Sequence, residues 1–230
     1  MKYLIALLLL SLCCSARAAD GNEQYFSKAG VWPSTTNLVE LIHPNRGLAL
    51  QSLEEFRALV DDADYADLGF ESLDDAKSAI LGTPLAVYWI GLNDLREYST
   101  NKSPATLLRT AAKIIYPITA KEQVRASLTL QERDGKWLPS DFGFADFSMA
   151  VAGTRQRLAE LTHLSLTNFF AVEVPSLNLF FIAHQWENKT MLTPVSDVPA
   201  LHLSAGRSLP ALEVLHLLLP VARSHNGNPG

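Results

Sequence analysis

Residues 84–91 form an apolar run, Pro-Leu-Ala-Val-Tyr-Trp-Ile-Gly, that contains no charged side chain. A strand with one face in water alternates apolar and polar residues, whereas a strand covered on both faces reads as a continuous apolar run. We therefore predict a central strand here. This prediction restricts the fold to layered structures in which other elements pack on both sides of a sheet.

Further strands are predicted downstream of this run. Residues 124–132 alternate apolar and polar side chains, and Asp134 and Gly135 suit a turn with positive φ, so a β-hairpin with one solvent-facing side is expected. Runs of aromatic and β-branched residues predict three more strands, at residues 169–174, 177–183 and 190–195.

Five segments have the spacing or the start signals of helices. Ser52 and Ser72 each open the pattern of a capping box, and Ser103 followed by Pro104 is typical of a helix start. In the fourth segment, apolar spacing predicts that Phe147 and Leu161 face the core while Arg155 faces solvent. The predicted helices are residues 52–60, 72–80, 103–116, 146–164 and 209–222.

These patterns predict an α+β fold in which a mixed or antiparallel sheet packs against four or five helices. The order of a strand and then a helix that begins near Pro84 is echoed near Pro175, with residues 103–116 corresponding to residues 209–222. Two similar strand-helix halves that share one core are therefore an open alternative.

The start of the chain has the layout of a secretory signal peptide. Lys2 precedes an apolar run of about ten residues, and Ala16 and Ala18 supply the small side chains before a cleavage site. We expect cleavage after Ala18 and export to the bacterial periplasm. The predicted organisation is a signal peptide (1–18), an extended N-terminal arm (19–48), a single α+β domain (49–224) and a disordered C-terminal tail (225–230).

Both cysteines, Cys13 and Cys14, lie inside the predicted signal peptide. A mature chain that begins at Ala19 would have no thiol, which excludes disulfides, thiolate metal sites and cysteine nucleophiles. The chain also contains no glycine-rich phosphate loop, no H-E-x-x-H and no G-x-S-x-G motif. We therefore expect that the protein has no cofactor, and we favour a binding function over an enzymatic one.

A few residues remain as weak candidates for catalysis or metal binding. Ser99 and Lys102 match the S-x-x-K pattern, in a polar stretch. His184 or His202 near Ser204 could form part of a triad. The histidines of the last third have no compact ligand spacing, so no metal site is predicted from His163, His184, His202 and His216.

Charge is unevenly distributed along the chain. The formal net charge of −5 disfavours a nucleic-acid binder. Residues 54–75 carry nine acidic side chains and one basic side chain, whereas residues 96–125 carry six basic and two acidic side chains. This asymmetry predicts an acidic docking surface for a basic partner protein, because complementary charge steers association. Its residues are Asp61, Asp62, Asp64 and Asp67.

The segment at residues 209–222 has only Glu213 and His216 as polar side chains. A helix of this kind is hidden on nearly every side, either in the middle of the domain or against a second copy in a homodimer. The mature chain has no uncharged apolar stretch of 18 residues, so no membrane span is expected.

Three functions follow in order of preference. The first is a non-enzymatic exported protein that binds another protein as an accessory or chaperone-like factor. The second is a binder of a small apolar or aromatic ligand between sheet and helices, and the third is an exported hydrolase or metal-dependent enzyme. The aromatic side chains that would line such a pocket are Tyr88, Trp89, Trp137, Phe180, Phe181 and Trp186.

Overall fold

The computed structural model of the chain describes residues 32–143 and 145–225. The predicted signal peptide, its cleavage site, residues 19–31 of the predicted arm and residues 226–230 of the predicted tail lie outside these described residues.

The described strands all belong to one sheet. Their bounds are β1 (Ile80–Leu81), β2 (Leu85–Ile90), β3 (Leu108–Ala120), β4 (Gln123–Arg133), β5 (Lys136–Gly143), β6 (Phe170–Val174), β7 (Leu179–Trp186), β8 (Lys189–Pro194) and β9 (Leu209–Pro210). The strand order is β5-β4-β3-β2-β6-β7-β8-β9, and β1 pairs with β3. Every pairing is antiparallel except β2 with β6, which is parallel. The predicted α+β fold with a mixed sheet is confirmed.

Helices cover both faces of this sheet. Their bounds are α1 (Thr35–Ile42), α2 (Arg46–Leu59), α3 (Leu73–Ser78), α4 (Leu92–Glu97), α5 (Ala145–Thr162) and α6 (Ala211–Ser224). The buried apolar residues of α5 belong to one core cluster, and those of the other five helices belong to a second cluster. Within the described part of the chain, no helix combines the length and the apolar character needed to cross a bilayer.

Strand β2 separates the two clusters. Leu85 and Val87 belong to the cluster on the α5 side, whereas Ala86, Tyr88 and Ile90 belong to the larger cluster on the opposite side. Alternate residues of a strand point to opposite faces, so an apolar run is needed to fill both layers. The prediction of a central, two-sided strand at residues 84–91 is confirmed.

The chain builds the sheet as two similar units. Strands β2 to β5 form an antiparallel meander that is followed by α5, and strands β6 to β9 form a second meander that is followed by α6. The first strands of the meanders, β2 and β6, pair in parallel at the centre. The two helices lie on opposite faces. The two units are therefore related by an approximate twofold axis that runs parallel to the strands between β2 and β6.

These halves differ from the ones that the sequence suggested. The suggested correspondence required residues 103–116 to be a helix, but they form a short 3-10 turn (Pro104–Leu107) and the first part of β3. Ser103 caps this turn, since its hydroxyl accepts a hydrogen bond from the Ala105 amide at 3.4 Å. The predicted cap at Ser103 is therefore confirmed, but it begins a single 3-10 turn and not an α-helix.

The predicted extended arm is also wrong over residues 35–48, which contain α1 and the start of α2. Ser34 and Asn37 form a reciprocal cap at the start of α1, and Leu38 and Leu41 bury the inner face of this helix. The segment is polar in overall composition, but it contains the Ser34–Asn37 cap and two apolar residues, Leu38 and Leu41, at helical spacing.

The other helix starts and turns follow the sequence more closely. The Ser72 hydroxyl accepts a hydrogen bond from the Asp75 amide at 3.2 Å and caps α3, as predicted. Ser52 lies inside α2 instead, where its hydroxyl donates to the Leu48 carbonyl at 2.9 Å. Asp134 and Gly135 both have positive φ in the turn between β4 and β5, which confirms the predicted hairpin.

Candidate functional site

A cavity of about 760 Å³ lies on the α5 side of the sheet, beside the first turns of α5. Its floor includes Ile115 on β3 and Thr129 on β4, both buried. The N-terminal part of α5 contributes Asp146, Phe147 and Ala150. A volume of this size is within the range of roughly 300–1,000 Å³ that is typical of small-molecule pockets.

An ion pair crosses the cavity floor. The Lys113 Nζ atom lies 2.9 Å from Oε2 of Glu173, and each side chain is 27% exposed. Lys113 is opposite Val87 on β2 and Glu173 is opposite Trp89, so the pair spans β2 diagonally. Because both groups are partly shielded from water, their attraction is stronger than that of a fully solvated pair.

A β-bulge sets the position of Lys113. Thr110 pairs with Tyr88 and Lys113 pairs with Val87, so two extra residues of β3 face one step of β2. Within this bulge Ala112 has a φ of 42°, a left-handed conformation that costs energy for any residue with a Cβ atom. Strained bulges occur at places where a strand directs a side chain to a site.

Apolar side chains are concentrated at one end of the cavity and charged side chains occur along its length. The end formed by β4 and β5 contributes Gln131, Ser140 and two charged residues, Arg133 and Asp141. The Arg133 Nη2 atom donates a hydrogen bond to Oε1 of Gln131 at 3.3 Å.

The opposite end contributes the apolar residues Leu179 and Phe180 from β7 and Val195 after β8, together with the polar residues Asn178 and Ser196. Phe147 of α5 stands edge-on to Phe180, with ring centroids 5.1 Å apart and planes at 82°. The prediction that Phe147 is a core residue is wrong, because its side chain is 43% exposed.

The four predicted docking residues lie in the turn region between α2 and α3. Asp61, Asp62 and Asp67 are exposed, and Asp64 is partly buried. The Asp61 carboxylate accepts a hydrogen bond from the Ala63 amide at 2.8 Å. Within the described residues, none of the four forms an ion pair with a basic side chain.

Other acids of the same segment are neutralised within the chain. The Arg125 Nη2 atom lies 2.5 Å from Oε1 of Glu71, and the Lys121 Nζ atom lies 2.9 Å from Oδ2 of Asp75. The hydrogen bond from Lys121 lowers the pKa of the Asp75 carboxyl below its ordinary value. The acidic and basic segments therefore meet in part, and the charge asymmetry read from the sequence persists mainly in the turn that begins at Asp61.

An apolar hollow of about 230 Å³ lies beside this turn. It is lined by Leu59, which is 79% exposed, and by Phe142 of β5. The Phe142 ring is stacked on Phe56 with centroids 5.1 Å apart. Two acidic side chains, Glu55 and Asp64, also border the hollow.

The four candidate histidines are dispersed. His184 on β7 is buried, whereas His163, His202 and His216 are exposed. The Nδ1 atom of His184 has no hydrogen-bond partner in the part of the chain that the structure describes, and burial lowers the pKa of this ring. Among the described residues, no three histidine, aspartate or glutamate side chains are grouped as metal ligands.

Among the described residues, no side-chain hydrogen bond joins a candidate nucleophile to its candidate base. Within the described part of the chain, no hydrogen bond joins Ser204 to His184 or His202. Ser99 and Lys102 are exposed in a turn, where the Lys102 amide donates to the Ser99 carbonyl at 2.9 Å.

Arg155 of α5 is 3% exposed, so the prediction that it faces solvent is wrong. Its guanidinium donates to the carbonyl oxygens of Thr83 at 2.7 Å, Pro84 at 2.9 Å and Leu166 at 3.1 Å. Burial lowers the pKa of Arg155 to about 10, so the group stays charged at neutral pH. It fastens α5 to the segment that leads into β2.

Helix α6 is less hidden than predicted. One face is buried against the sheet, including Val214 and Leu218, but Leu212 and Val221 are exposed apolar residues on the outer side. Leu209 at the start of the predicted segment belongs to β9.

Sequence reasoning missed Lys113 and Glu173. Lys113 lies in residues 103–116, for which the sequence predicts a helix, whereas the structure places it in β3. Glu173 gave a usable signal, because it is the only charged residue in the apolar run at residues 169–174. Of the aromatic residues named as pocket candidates, Phe180 lines the cavity.

Comparisons with models of known protein families, with curated proteins and with solved structures give no match.

Proposed function

We propose that the protein is a non-enzymatic binding protein that holds a small ligand with an apolar part in the cavity over the sheet. The observation that carries this proposal is the cavity of about 760 Å³, whose lining combines charged groups with an apolar part that includes Phe180 and Val195. Pockets that combine an apolar wall with a few convergent polar groups are the usual sites of small-molecule binding.

The pairing of Lys113 with Glu173 favours binding over catalysis. A catalytic lysine or carboxylate needs a proton affinity suited to its task and access to the reacting atom. Here the two groups hold each other at 2.9 Å. They form a charged part of the floor, and the lining residues that the structure describes include no histidine.

The test is to fill the cavity. Ala150 on α5 lines it, so Ala150→Trp should occupy the space, whereas Glu160→Trp places the same ring on an exposed part of the same helix. The probe is 1-anilinonaphthalene-8-sulfonate, whose fluorescence rises in apolar sites. We expect saturable binding to the native chain and to Glu160→Trp, and loss of binding in Ala150→Trp. Equal binding by both variants would contradict the proposal.

A second candidate function is protein binding at the acidic turn, in the role of an accessory or chaperone-like factor. The observation that favours it is the apolar hollow at Leu59 beside Asp61, Asp62, Asp64 and Asp67, for which residues 32–143 and 145–225 supply no ion-pair partner. A partner segment with basic residues around one apolar anchor complements this surface, because unpaired acids steer it and the hollow buries the anchor.

A synthetic amphipathic peptide of lysine and leucine tests the acidic turn. The variant Asp61→Lys/Asp62→Lys/Asp64→Lys should bind it at least tenfold more weakly than the native chain. A control with the same change in net charge, Glu160→Lys/Glu187→Lys/Glu213→Lys, carries exposed substitutions elsewhere and should bind like the native chain. An equal loss of peptide binding in both variants would show that net charge, and not the acidic turn, determines binding, and this would contradict the proposal.

Export to the periplasm is proposed from the signal-like pattern at residues 1–18. The intact mass of the protein recovered from the periplasm of a producing bacterium should correspond to a chain that begins at Ala19. A chain that retains Met1 and stays in the cytoplasm would contradict this.

A homodimer through α6 is proposed from the exposed Leu212 and Val221. Sedimentation of the native chain should then show a dimer that Leu212→Glu/Val221→Glu converts to a monomer. A native monomer would contradict the dimer.

A further inference from the structure

The cavity presents both signs of charge. Lys113 and Arg133 are the basic residues of its lining, and Asp141, Asp146 and Glu173 are the acidic ones. Of these five described side chains, Lys113 and Glu173 form an ion pair with each other. A ligand with one sign of charge would be repelled by the lining residues of the same sign. A ligand that carries both a positive and a negative group can pair each group with a lining residue of opposite charge.

Neutral polar groups accompany the charges. Thr129, Ser140, Asn178 and Ser196 contribute hydroxyl and amide groups to the lining. Amide groups and hydroxyls can donate and accept hydrogen bonds, and this suits a ligand that itself carries peptide groups. At the end formed by β4 and β5, the Ser140 hydroxyl donates a hydrogen bond to the Thr129 carbonyl at 3.3 Å.

The apolar part of the ligand has a defined place. Phe147 and Phe180 meet edge-on at 5.1 Å and lie near Val195 in the cavity wall. Phe147 is the exposed member of the pair. An apolar side chain that packs against these rings removes exposed apolar area from water.

We infer that the ligand is a short peptide with free termini and an apolar side chain. Its carboxylate binds the basic side chains Lys113 and Arg133, its ammonium group binds the acids around Asp141, and its side chain packs on Phe147 and Phe180. This inference rests on the proposed function, since it names the ligand class of the same cavity.

The experiment is a calorimetric titration with the dipeptide leucyl-phenylalanine, its N-acetylated form, its C-amidated form and the form blocked at both ends. Competition with 1-anilinonaphthalene-8-sulfonate locates each in the cavity. We expect the free dipeptide to bind, each single block to weaken binding at least tenfold, and the double block to abolish it.

Matched variants on the β4–β5 hairpin test the basic end. Arg133 lines the cavity, whereas Lys136, its partner across the hairpin, does not. Arg133→Met should weaken the binding of the free dipeptide at least fivefold and leave the binding of the C-amidated form unchanged. Lys136→Met should change the binding of neither peptide. Asp141→Asn and Asp134→Asn form the corresponding pair for the ammonium group, because Asp141 lines the cavity and Asp134 lies in the turn.

The outcomes separate the two proposals. If the dye binds in the cavity but the doubly blocked peptide binds as well as the free one, or no peptide binds, the ligand class is wrong and the binding function stands. If the dye does not distinguish Ala150→Trp from Glu160→Trp and no peptide binds, both proposals fail.

Discussion

Lys113 and Glu173 are joined at 2.9 Å although strand β2 lies between their two strands. Lys113 belongs to the first meander and Glu173 to the second. The ion pair therefore bridges the line along which the two halves of the sheet meet, and it does so on the floor of the cavity. Its contribution to stability can be separated from its contribution to binding.

We predict measurable coupling between these two residues. Lys113→Met and Glu173→Gln should each lower the free energy of unfolding by about 1–2 kcal/mol, and the double variant should lose about 1 kcal/mol less than their sum. The reason is that each single change leaves a partly shielded charge without its partner. Urea unfolding of the four proteins measures the coupling, and strictly additive losses would show that the pair does not stabilise the fold.

Ala112→Gly should stabilise the protein. Ala112 has a φ of 42°, and glycine adopts this conformation without the steric cost of a Cβ atom, so we expect a gain of about 1 kcal/mol. Ala126 on β4 is buried and has no positive φ, so Ala126→Gly should instead lower stability. Thermal unfolding of both variants checks the sign, and a loss in Ala112→Gly would mean that the bulge is not strained.

Arg155→Met should destabilise the protein by about 2–4 kcal/mol, because three carbonyl oxygens lose a buried donor. Arg157, two residues further along the same helix, is exposed, and Arg157→Met should change stability by about 0.5 kcal/mol or less. Equal effects in urea unfolding would show that the buried guanidinium does not fasten α5 to the start of β2.

Stability should fall on acidification because of His184. Burial lowers the pKa of this ring, so below its ordinary value of 6.5 the unfolded chain takes up a proton that the folded chain resists. The stabilisation is therefore complete above pH 6.5 and is lost as the pH falls towards the folded pKa. His184→Gln should show a smaller decrease in Tm between pH 7.5 and pH 5 than the native chain.

His216→Gln is the control for this pH dependence, because His216 is exposed on α6. Its Tm should follow that of the native chain across the same pH range. A His184→Gln profile parallel to the native one would assign the acid sensitivity to other groups.

Strands with strong local patterns could be predicted from the sequence. The apolar run of β2, the Asp134-Gly135 turn and the aromatic run of β7 each carry a signal that is contained within a few residues. Strand β3 could not be predicted in the same way. Its bulge at Ala112 and the small side chains around it interrupt the alternation, and Leu107, Leu108 and Ile115 then fall by coincidence at helical spacing.

The cavity depended on information that no local pattern contains. Lys113, Phe147 and Glu173 come from β3, α5 and β6; Lys113 and Glu173 pair because β3 and β6 both flank β2, and Phe147 joins the lining because α5 packs on the same face. The lone acid in the apolar β6 run was visible, but its partner was not. The acidic turn, by contrast, was named from sequence because its members are neighbours in the chain.

The division of the sheet into two meanders has a consequence for how the chain folds. Within each meander, strands that pair are consecutive along the chain, so their contacts close shorter loops than the pairing of β2 with β6 does. The parallel ladder between β2 and β6, which pairs Val87 with Ala171, is the junction that connects distant parts of the chain. Because long-range contacts are slow to form, we expect each meander to assemble early and the seam between β2 and β6 to close in the rate-limiting step.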